Sequence, residues 1–490
     1  MNLRGKIKFL LIFIIFFMLV SCNFLETDNN VYYQVIFEAT DGGHIRGEKN
    51  QQVAEGESSS EVIAVADIGY HFTSWSDGCK DEKRLIENVT AHITLYANFK
   101  PDVYEFPKMY INTENSSPIV SKEEYINCVV SLDNDNIDED YSFNNKTGRI
   151  KGRGNSTWDF PKKPYKLKFD EKIDLLGNGK AKTWVLSAEY IDPSRVRNYI
   201  TYSIAEKMED LLYTTTKEYV ELYLNGVYNG LYLILEQNEV GKTRVNIDDS
   251  IDNNVSFLIE LDGRALEDGS ILDLEYFMFK NNPYVIKGPD TDDILYSSET
   301  CSNIKDFVEY CFNTILYGTY EEIDAIVDVG SFADAYIIYE LTGNVDVDFS
   351  SWYLYRDKGS KLGNGPIWDF DISCGNCNYD LDSINTNNLH ALGNIWYYSL
   401  MQHPEFKELV KSKINNYYDM IIEVIDNSII DLYKYESYFL RDDNKWHTIT
   451  REGWPHPQEI VSINTWKDQV EYVKEWMIEK LQFMKEEYNK

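Results

Sequence analysis

The chain has 490 residues, 43% of them hydrophobic and 14% aromatic, so it is long enough to form several domains with apolar cores. Its formal net charge of −34 at pH 7 disfavours binding to nucleic-acid phosphates and favours a basic protein partner. Of its seven cysteines, six follow residue 22, too few for a disulfide framework in a chain of this length.

The first 21 residues are typical of a signal peptide. Arg4, Lys6 and Lys8 precede an apolar run, residues 9–20, that is too short to span a bilayer. The tetrad Leu19-Val20-Ser21-Cys22 resembles the lipobox of bacterial lipoproteins, in which the cysteine takes a diacylglycerol and becomes the new N-terminus. The resemblance predicts lipid attachment at Cys22 and anchoring at the bacterial cell surface, on the outer face of the membrane. An ordinary secretory signal or an uncleaved anchor is the alternative.

A tether of residues 22–31 leads into a predicted small β domain, residues 32–100. Short alternating apolar runs are broken by glycines, the pattern of short strands joined by turns. The runs Gly69-Tyr70-His71-Phe72 and Trp75-Ser76-Asp77-Gly78 resemble divergent repeat modules of bacterial surface proteins, which usually act as spacers. The single copy is interpreted as a stalk, with specific binding as the alternative, and residues 101–107 are interpreted as a linker.

From residue 108 the pattern becomes mixed. Two apolar runs, residues 220–224 and 231–235, flank Asn225-Gly226, which predicts a β-hairpin, and Gly230 indicates a bulge. After residue 331 the apolar spacing becomes helical, and apolar residues between 466 and 484 fall on one helical face. The front of this region is therefore predicted to be rich in strands and the back rich in helices.

A basic segment contrasts with the acidic remainder of the chain. The turn at residues 153–158 contains glycine and small polar residues, whose backbone N–H groups suit a phosphate. Lys166 and Lys168, on the strand that follows, share one face because they are two residues apart. The segment is a candidate phosphate site, with a solvated basic strand as the alternative.

Carboxylates stand among aromatic and β-branched residues in two later segments, 344–348 and 366–371. Burying such charges is costly unless a positive group compensates them. A Mg²⁺ ion bound to one or two carboxylates and to substrate phosphates would do so. These segments predict a metal site, with aspartate-capped turns as the alternative. The nearby pair Cys374 and Cys377 favours buried thiols or one disulfide over zinc, because no second pair accompanies it.

Taken in chain order, these motifs resemble the spore-coat protein H (CotH) kinase family. The resemblance covers roughly residues 108–420, and its motifs lie at residues 153–158, 161–169, 175–177, 184–186, 197–198, 224–226, 236–237 and 368–371. It implies an α+β fold, an atypical two-lobed protein-kinase-like domain that binds ATP with Mg²⁺ and phosphorylates serines. Residues 421–490 are interpreted as a C-terminal helical extension.

The resemblance also implies roles for single residues. Asp346 matches the catalytic aspartate that orients or deprotonates the acceptor hydroxyl, and Asp369 and Asp371 match the metal-binding positions. Many members carry asparagine five residues after the catalytic aspartate, whereas this chain has Ser351, a weaker metal ligand.

The remaining expected nucleotide contacts lie in the front half of the domain. Arg153 and Asn155, with Lys166 or Lys168, are expected to bind the ATP phosphates, and Glu236 to hold one of the lysines as in ordinary kinases.

The expected substrate is a basic, serine-rich protein that is secreted or surface-exposed, because the acidic charge attracts basic partners. Two alternatives remain open. The same fold can transfer another group, such as AMP or glutamate, since fold does not determine chemistry. The protein can also act as a surface adhesin without catalytic turnover.

Overall fold

The computed structural model describes residues 31–490, except 68, 103, 249, 252–255, 268–270 and 273. The predicted signal peptide, the lipid site at Cys22 and nearly all of the tether lie outside these residues and stay predictions. The chain divides into two compact units, the first ending at residue 103 and the second running from Tyr104 to Lys490. Within the described residues, no helix is both long and apolar enough to cross a bilayer.

The described part of the first unit, from residue 31 onward, consists of seven strands in two sheets. The strands are β1 (Tyr32–Ala39), β2 (Gly43–Arg46), β3 (Asn50–Ala54), β4 (Val62–Ala66), β5 (Tyr70–Trp75), β6 (Lys83–Arg84) and β7 (Ile93–Pro101). One sheet has the order β3-β1-β7-β5 and the other β2-β4-β6. Alternate apolar side chains point into one core, where Phe37 meets Trp75 edge to face at 5.6 Å between ring centroids. The predicted small β domain is confirmed.

The second unit begins with a closed seven-stranded sheet. Its strands are β8 (Lys108–Thr113), β9 (Ile126–Asp133), β10 (Phe143–Gly152), β11 (Tyr165–Asp174), β12 (Lys180–Ser187), β13 (Lys217–Leu224) and β14 (Val227–Glu236). They follow the order β10-β11-β12-β14-β13-β8-β9, and the sheet closes because β9 also pairs with β10. Fully buried side chains, including Trp184 and Tyr232, fill its interior.

The predicted hairpin is formed by β13 and β14. Asn225 and Gly226 have φ angles of 49° and 80°, the left-handed values that a tight two-residue turn between strands requires. Leu222 is paired with Gly230, but Tyr223 is paired with Tyr228. One extra residue therefore bulges from β14 beside Gly230, as the sequence indicated.

The rest of the second unit combines a five-stranded sheet with helices. Its strands are β15 (Phe257–Leu261), β16 (Tyr276–Phe279), β17 (Asn282–Gly288), β18 (Trp352–Arg356) and β19 (Gly363–Asn364), in the order β16-β17-β15-β18-β19. The helices of the unit are α1 (Arg197–Ala205), α2 (Ser298–Tyr317), α3 (Tyr320–Ile326), α4 (Val329–Thr342), α5 (Ile395–Leu400), α6 (Pro404–Tyr433), α7 (Glu436–Trp446), α8 (Gln458–Val461) and α9 (Trp466–Tyr488). The α+β class is confirmed, with strands dominating the front and helices the back.

The C-terminal helices belong to the same compact unit as the sheets. The predicted domain end at residue 420 falls inside the continuous helix α6, and α9 packs on α4 and α6. Lys480 of α9 forms a fully buried ion pair with Glu340 of α4, at 2.6 Å. Residues 421–490 are therefore a part of this unit rather than a separate extension.

A buried ionic cluster joins α7 to the closed sheet. The Asp442 carboxylate lies 3.0 Å from the Lys162 ammonium and 2.7 Å from Nε of Arg195, and all three side chains are at most 1% exposed. Asp442 also accepts a hydrogen bond from the backbone N–H of Leu231 at 2.7 Å. Burial is the main cause that lowers the pKa of Lys162, to about 8, and the Asp442 charge opposes it.

Residues 104–107 likewise belong to the second unit, although the sequence suggested a linker. Phe106 stacks on Tyr435, with ring centroids 4.2 Å apart and planes inclined by 13°. The chain is therefore packed against the connection between α6 and α7 before β8 begins.

Candidate active site

A cavity of about 250 Å³ in the second unit brings together residues that are far apart in the sequence. Its wall includes the turn after β10, the loop after β12, the end of β15, and the segments around residues 346 and 369. The lining contains carboxylates and cationic side chains in close proximity: Glu189, Glu260, Asp262, Asp346, Asp369 and Asp371, with Arg153, Lys162, Arg264 and Lys287. Such a lining suits a polyanionic ligand that is accompanied by a cation.

Asp346 reaches the cavity because α4 ends just before it. Gly343 ends the helix in the left-handed conformation, with φ of 54°, and a Cβ atom there would lie 2.3 Å from the Ser383 carbonyl oxygen. The Asn344 side chain then accepts a hydrogen bond from the Asp346 N–H at 2.9 Å and donates one to the Asp369 carbonyl at 2.7 Å. Asn344 therefore holds the two aspartate segments together.

The segment with Asp369 and Asp371 is supported from α1 and from its own loop. The Asp369 N–H donates to the Tyr202 hydroxyl at 3.2 Å, and the Phe370 N–H donates to Asn198 Oδ1 at 2.9 Å. Asp369 itself has a φ of 69°, a strained value for this residue type that these hydrogen bonds maintain. The backbone here is thus determined by surrounding side chains before any ligand binds.

The three aspartates that the sequence assigned to chemistry lie in this one cavity, and their charges destabilise one another. Burial and the Asp369 charge raise the pKa of Asp346 to about 7. Burial is also the main cause of the raised pKa values of Asp369 and Asp371, and the Asp369 charge adds to it for Asp371. Neighbouring cations act in the opposite direction, Arg153 on Asp369 and Arg264 on Asp346.

These destabilised carboxylates fit a divalent cation. Among the described residues, no group of three or more His, Cys, Asp or Glu side chains is arranged to hold a metal by itself. Mg²⁺ usually takes one or two carboxylates and completes its shell with water and phosphate oxygens. Asp369 and Asp371 satisfy that smaller requirement, whereas Cys374 and Cys377 are free, buried thiols.

The turn after β10, the candidate phosphate-binding loop, lies in the cavity wall. Arg153 lies over the Trp368 ring, with its guanidinium carbon 5.6 Å from the ring centroid, and Arg153 and Asn155 both line the cavity. In the described structure, the backbone N–H groups of Gly154 and Asn155 make no hydrogen bond. They remain available to an anionic ligand.

The predicted lysine and glutamate pair is arranged differently. Neither Lys166 nor Lys168 lines the cavity. Burial and the nearby Arg153 charge lower the pKa of Lys166 to about 8, and the acidic group that opposes this most is Glu239. Glu236 instead forms a buried ion pair with Arg244 and accepts a hydrogen bond from the Tyr213 hydroxyl at 2.6 Å.

Within the cavity wall, a lysine and a glutamate that the sequence reasoning missed do form a pair. Lys287 of β17 lies 2.7 Å from Glu260 of β15. Although burial disfavours the ammonium form, the Glu260 charge keeps the pKa of Lys287 above its ordinary value. Lys287 and Glu260 are each the lone charged residue of an otherwise apolar strand, at or near its end. That pattern could have identified them from the sequence.

Glu189 is a second missed residue of this wall. It is 3% exposed and accepts hydrogen bonds from the Ser187 hydroxyl at 2.5 Å and the Asn198 side chain at 3.1 Å. Burial is the main cause that raises its pKa to about 7, against an ordinary value of 4.5.

The Glu189→Gln variant is expected to be more stable than the wild type at pH 8. The folded state binds the Glu189 proton more tightly than the unfolded state does, so wild-type stability falls as pH rises from about 4.5 to 7. Glutamine does not titrate, and the gain should be about 3 kcal/mol at pH 8 and disappear near pH 4.5. Urea unfolding at both pH values, with the exposed Glu123→Gln as control, measures it. An equal gain at both values would contradict the titration account.

Comparison with known proteins identifies two regions. A family model described as CotH kinase protein matches residues 150–484. A second model, the divergent InlB B-repeat domain, matches residues 33–103, which correspond to the first compact unit. Comparison with curated proteins gives no match.

Proposed function

The chain belongs to the CotH kinase protein family, and from this we propose that its cavity binds ATP with Mg²⁺ and transfers the γ-phosphate to serines of a secreted or surface protein. The observation that carries the proposal is the convergence of Asp346, Asp369 and Asp371 on one cavity with Arg153 and Lys287. Phosphate transfer needs mainly positioning and neutralisation of charge, and these residues supply both.

In the proposed reaction, a serine oxygen attacks the γ-phosphorus atom. The bond between that phosphorus and the oxygen bridging to the β-phosphate breaks, and ADP leaves. The Asp346 carboxylate accepts the proton of the serine hydroxyl. Its pKa of about 7 suits this role, because a base works best when its pKa lies near the working pH.

Asp369 and Asp371 would hold Mg²⁺, which, when bound, neutralises negative charge on the phosphates. Arg153, the free N–H groups of Gly154 and Asn155, and Lys287 would bind phosphate oxygens. The Asn344 side chain would hold Asp346, the proposed base, in a fixed position relative to the segment with Asp369 and Asp371.

The location of the activity is part of the proposal. We infer that a lipid on Cys22 anchors the protein to the outer face of a bacterial membrane, with the repeat domain as a spacer. The net charge of −34 supports a basic, serine-rich protein as the substrate.

The test uses the chain from Asn23 to Lys490 with γ-labelled ATP, Mg²⁺ and a basic serine peptide, beside the Asp369→Ala variant. Label on a serine of the peptide in the wild type, and none with the variant, is the expected result. Nucleotide binding without γ-label would overturn the proposal and favour transfer of AMP or glutamate. No nucleotide binding at all would favour the adhesin.

The Ser351→Asn variant is expected to require less Mg²⁺. Ser351 donates a hydrogen bond to Asp369 Oδ2 at 3.4 Å, and its φ of 57° is a left-handed value that asparagine adopts more readily than serine. An amide oxygen is a better ligand than a neutral hydroxyl, so the Mg²⁺ concentration for half-maximal ATP binding should fall about threefold or more. Titration of both proteins measures it, with Ser350→Asn as control. An unchanged Mg²⁺ midpoint would show that residue 351 does not contribute to metal binding.

A further inference from the structure

We propose that another cavity of the second unit binds the guanidinium group of an arginine in a basic peptide. This cavity has a volume of about 430 Å³, and none of its described lining residues also lines the candidate active site. It lies between residues 104–107, the loop after β9, β13 and the end of α6. The proposal rests on the proposed function, because the peptide would be a segment of the protein substrate that docks outside the active site.

Aromatic rings provide much of the wall. Phe106 stacks on Tyr435, and Tyr199 stacks on Tyr219 with ring centroids 5.5 Å apart. Tyr104 already interacts with a cation, since the Lys434 ammonium lies 5.6 Å from the centroid of its ring. A planar guanidinium group stacks well on such rings and gains from their negative faces.

The charge of the wall selects a cation over a neutral ligand. Four carboxylates line the cavity, those of Glu105, Asp138, Glu218 and Asp431. Lys434 is the one cationic side chain among the described lining residues, and it lies 2.7 Å from Asp431. Three carboxyl groups therefore have no cation in the wall. Desolvation raises the pKa of Glu218 to about 7, so a cation beside it would favour its charged form, whereas a neutral sugar would not.

A buried acceptor gives an independent indication of a ligand with N–H donors. Asn134 is 4% exposed, and its Nδ2 donates a hydrogen bond to the Asp138 carbonyl at 2.8 Å. Its Oδ1 has no hydrogen-bond partner among the described residues. A buried acceptor without a donor is costly, and the five N–H groups of a guanidinium can reach it and a carboxylate together.

Glu218 supplies the residue for a test. Its side chain forms no ion pair or hydrogen bond in the described part of the chain, and it is an exposed residue of β13 that lines the cavity. The substitution Glu218→Gln keeps the shape and removes the charge. A matched control is Glu408→Gln, an exposed residue roughly 35 Å along α6 from Asp431 at 1.5 Å per residue.

The experiment measures binding of a labelled heptapeptide, one arginine flanked by glycine and serine, to the chain from Asn23 to Lys490 without ATP. Its twin carries citrulline, which has the same shape but no charge. The arginine peptide should bind at least about tenfold more tightly than the citrulline peptide. Glu218→Gln should remove most of that difference, and Glu408→Gln should leave it unchanged.

Equal binding of the two peptides, or an unchanged difference in Glu218→Gln, would overturn the proposal. Repeating the peptide-binding measurement with Asp346→Asn separates the proposed docking site from the proposed phosphate transfer. Arginine-dependent binding without phosphate transfer in any variant would support the docking site while the proposed function fails. In an active enzyme, Glu218→Gln should raise KM for the arginine peptide and leave kcat unchanged.

Discussion

Replacement of Asp346 by asparagine is expected to lower the rate of phosphate transfer by about 10²- to 10⁴-fold, the usual contribution of general-base catalysis. The amide keeps the size of the side chain but cannot accept the serine proton. Its neighbours are positioned by backbone and Asn344 contacts that do not involve the carboxylate, so ATP binding should change by less than about threefold.

The measurement compares single-turnover transfer and ATP affinity in wild type, Asp346→Asn and the control Asp348→Asn. Asp348 is exposed on the same loop and does not line the cavity. The control should retain nearly all activity. Equal losses in both variants would show a general effect of charge on the loop, and no loss in Asp346→Asn would remove this residue from the reaction.

The largest effect on stability is expected for Asp442→Ala, which should lower the free energy of unfolding by about 3–5 kcal/mol. The change leaves Lys162 and Arg195 buried without their shared counter-charge, and the N–H of Leu231 loses its acceptor. An unpaired buried charge is far more costly than a missing surface pair.

The same helix offers a control for this prediction. Glu436 of α7 is paired with Lys467 at 2.8 Å, and both side chains are at least one-third exposed. Glu436→Ala should cost less than about 1 kcal/mol, because solvent screens an exposed pair. Urea unfolding measures the loss in free energy of unfolding for both variants. Similar losses would contradict the stabilising role proposed for the buried cluster.

Local patterns in the sequence were sufficient for most of the secondary structure. The hairpin at Asn225-Gly226 was predictable because its turn needs two residues that accept positive φ. The last helix was predictable because seven of its apolar residues recur at helical spacing, and these seven are buried in α9: Trp466, Val470, Val473, Trp476, Met477, Leu481 and Met484. The domain end at 420 was not, since the contacts that join the C-terminal helices to the rest of the unit are between residues distant in sequence.

The candidate site likewise contains some residues that the sequence predicts and others that it does not. The aspartates stand in compact motifs, so a family resemblance could assign them, and the structure brings Asp346, Asp369 and Asp371 into one cavity. Strand alternation placed Lys166 and Lys168 on one face but could not tell whether that face meets the cavity. The pair of Lys287 and Glu260 depends on the register between β15 and β17, which no local pattern determines.

The buried cluster around Asp442 also has a consequence for biosynthesis. Lys162 and Asp442 are 280 positions apart, so the closed sheet emerges from the ribosome long before α7 exists. Until then, Lys162 has no counter-charge, which disfavours its burial beside the closed sheet. The unit should therefore fold only after synthesis is nearly complete, and chains that stop early should be recognised as unfolded and degraded.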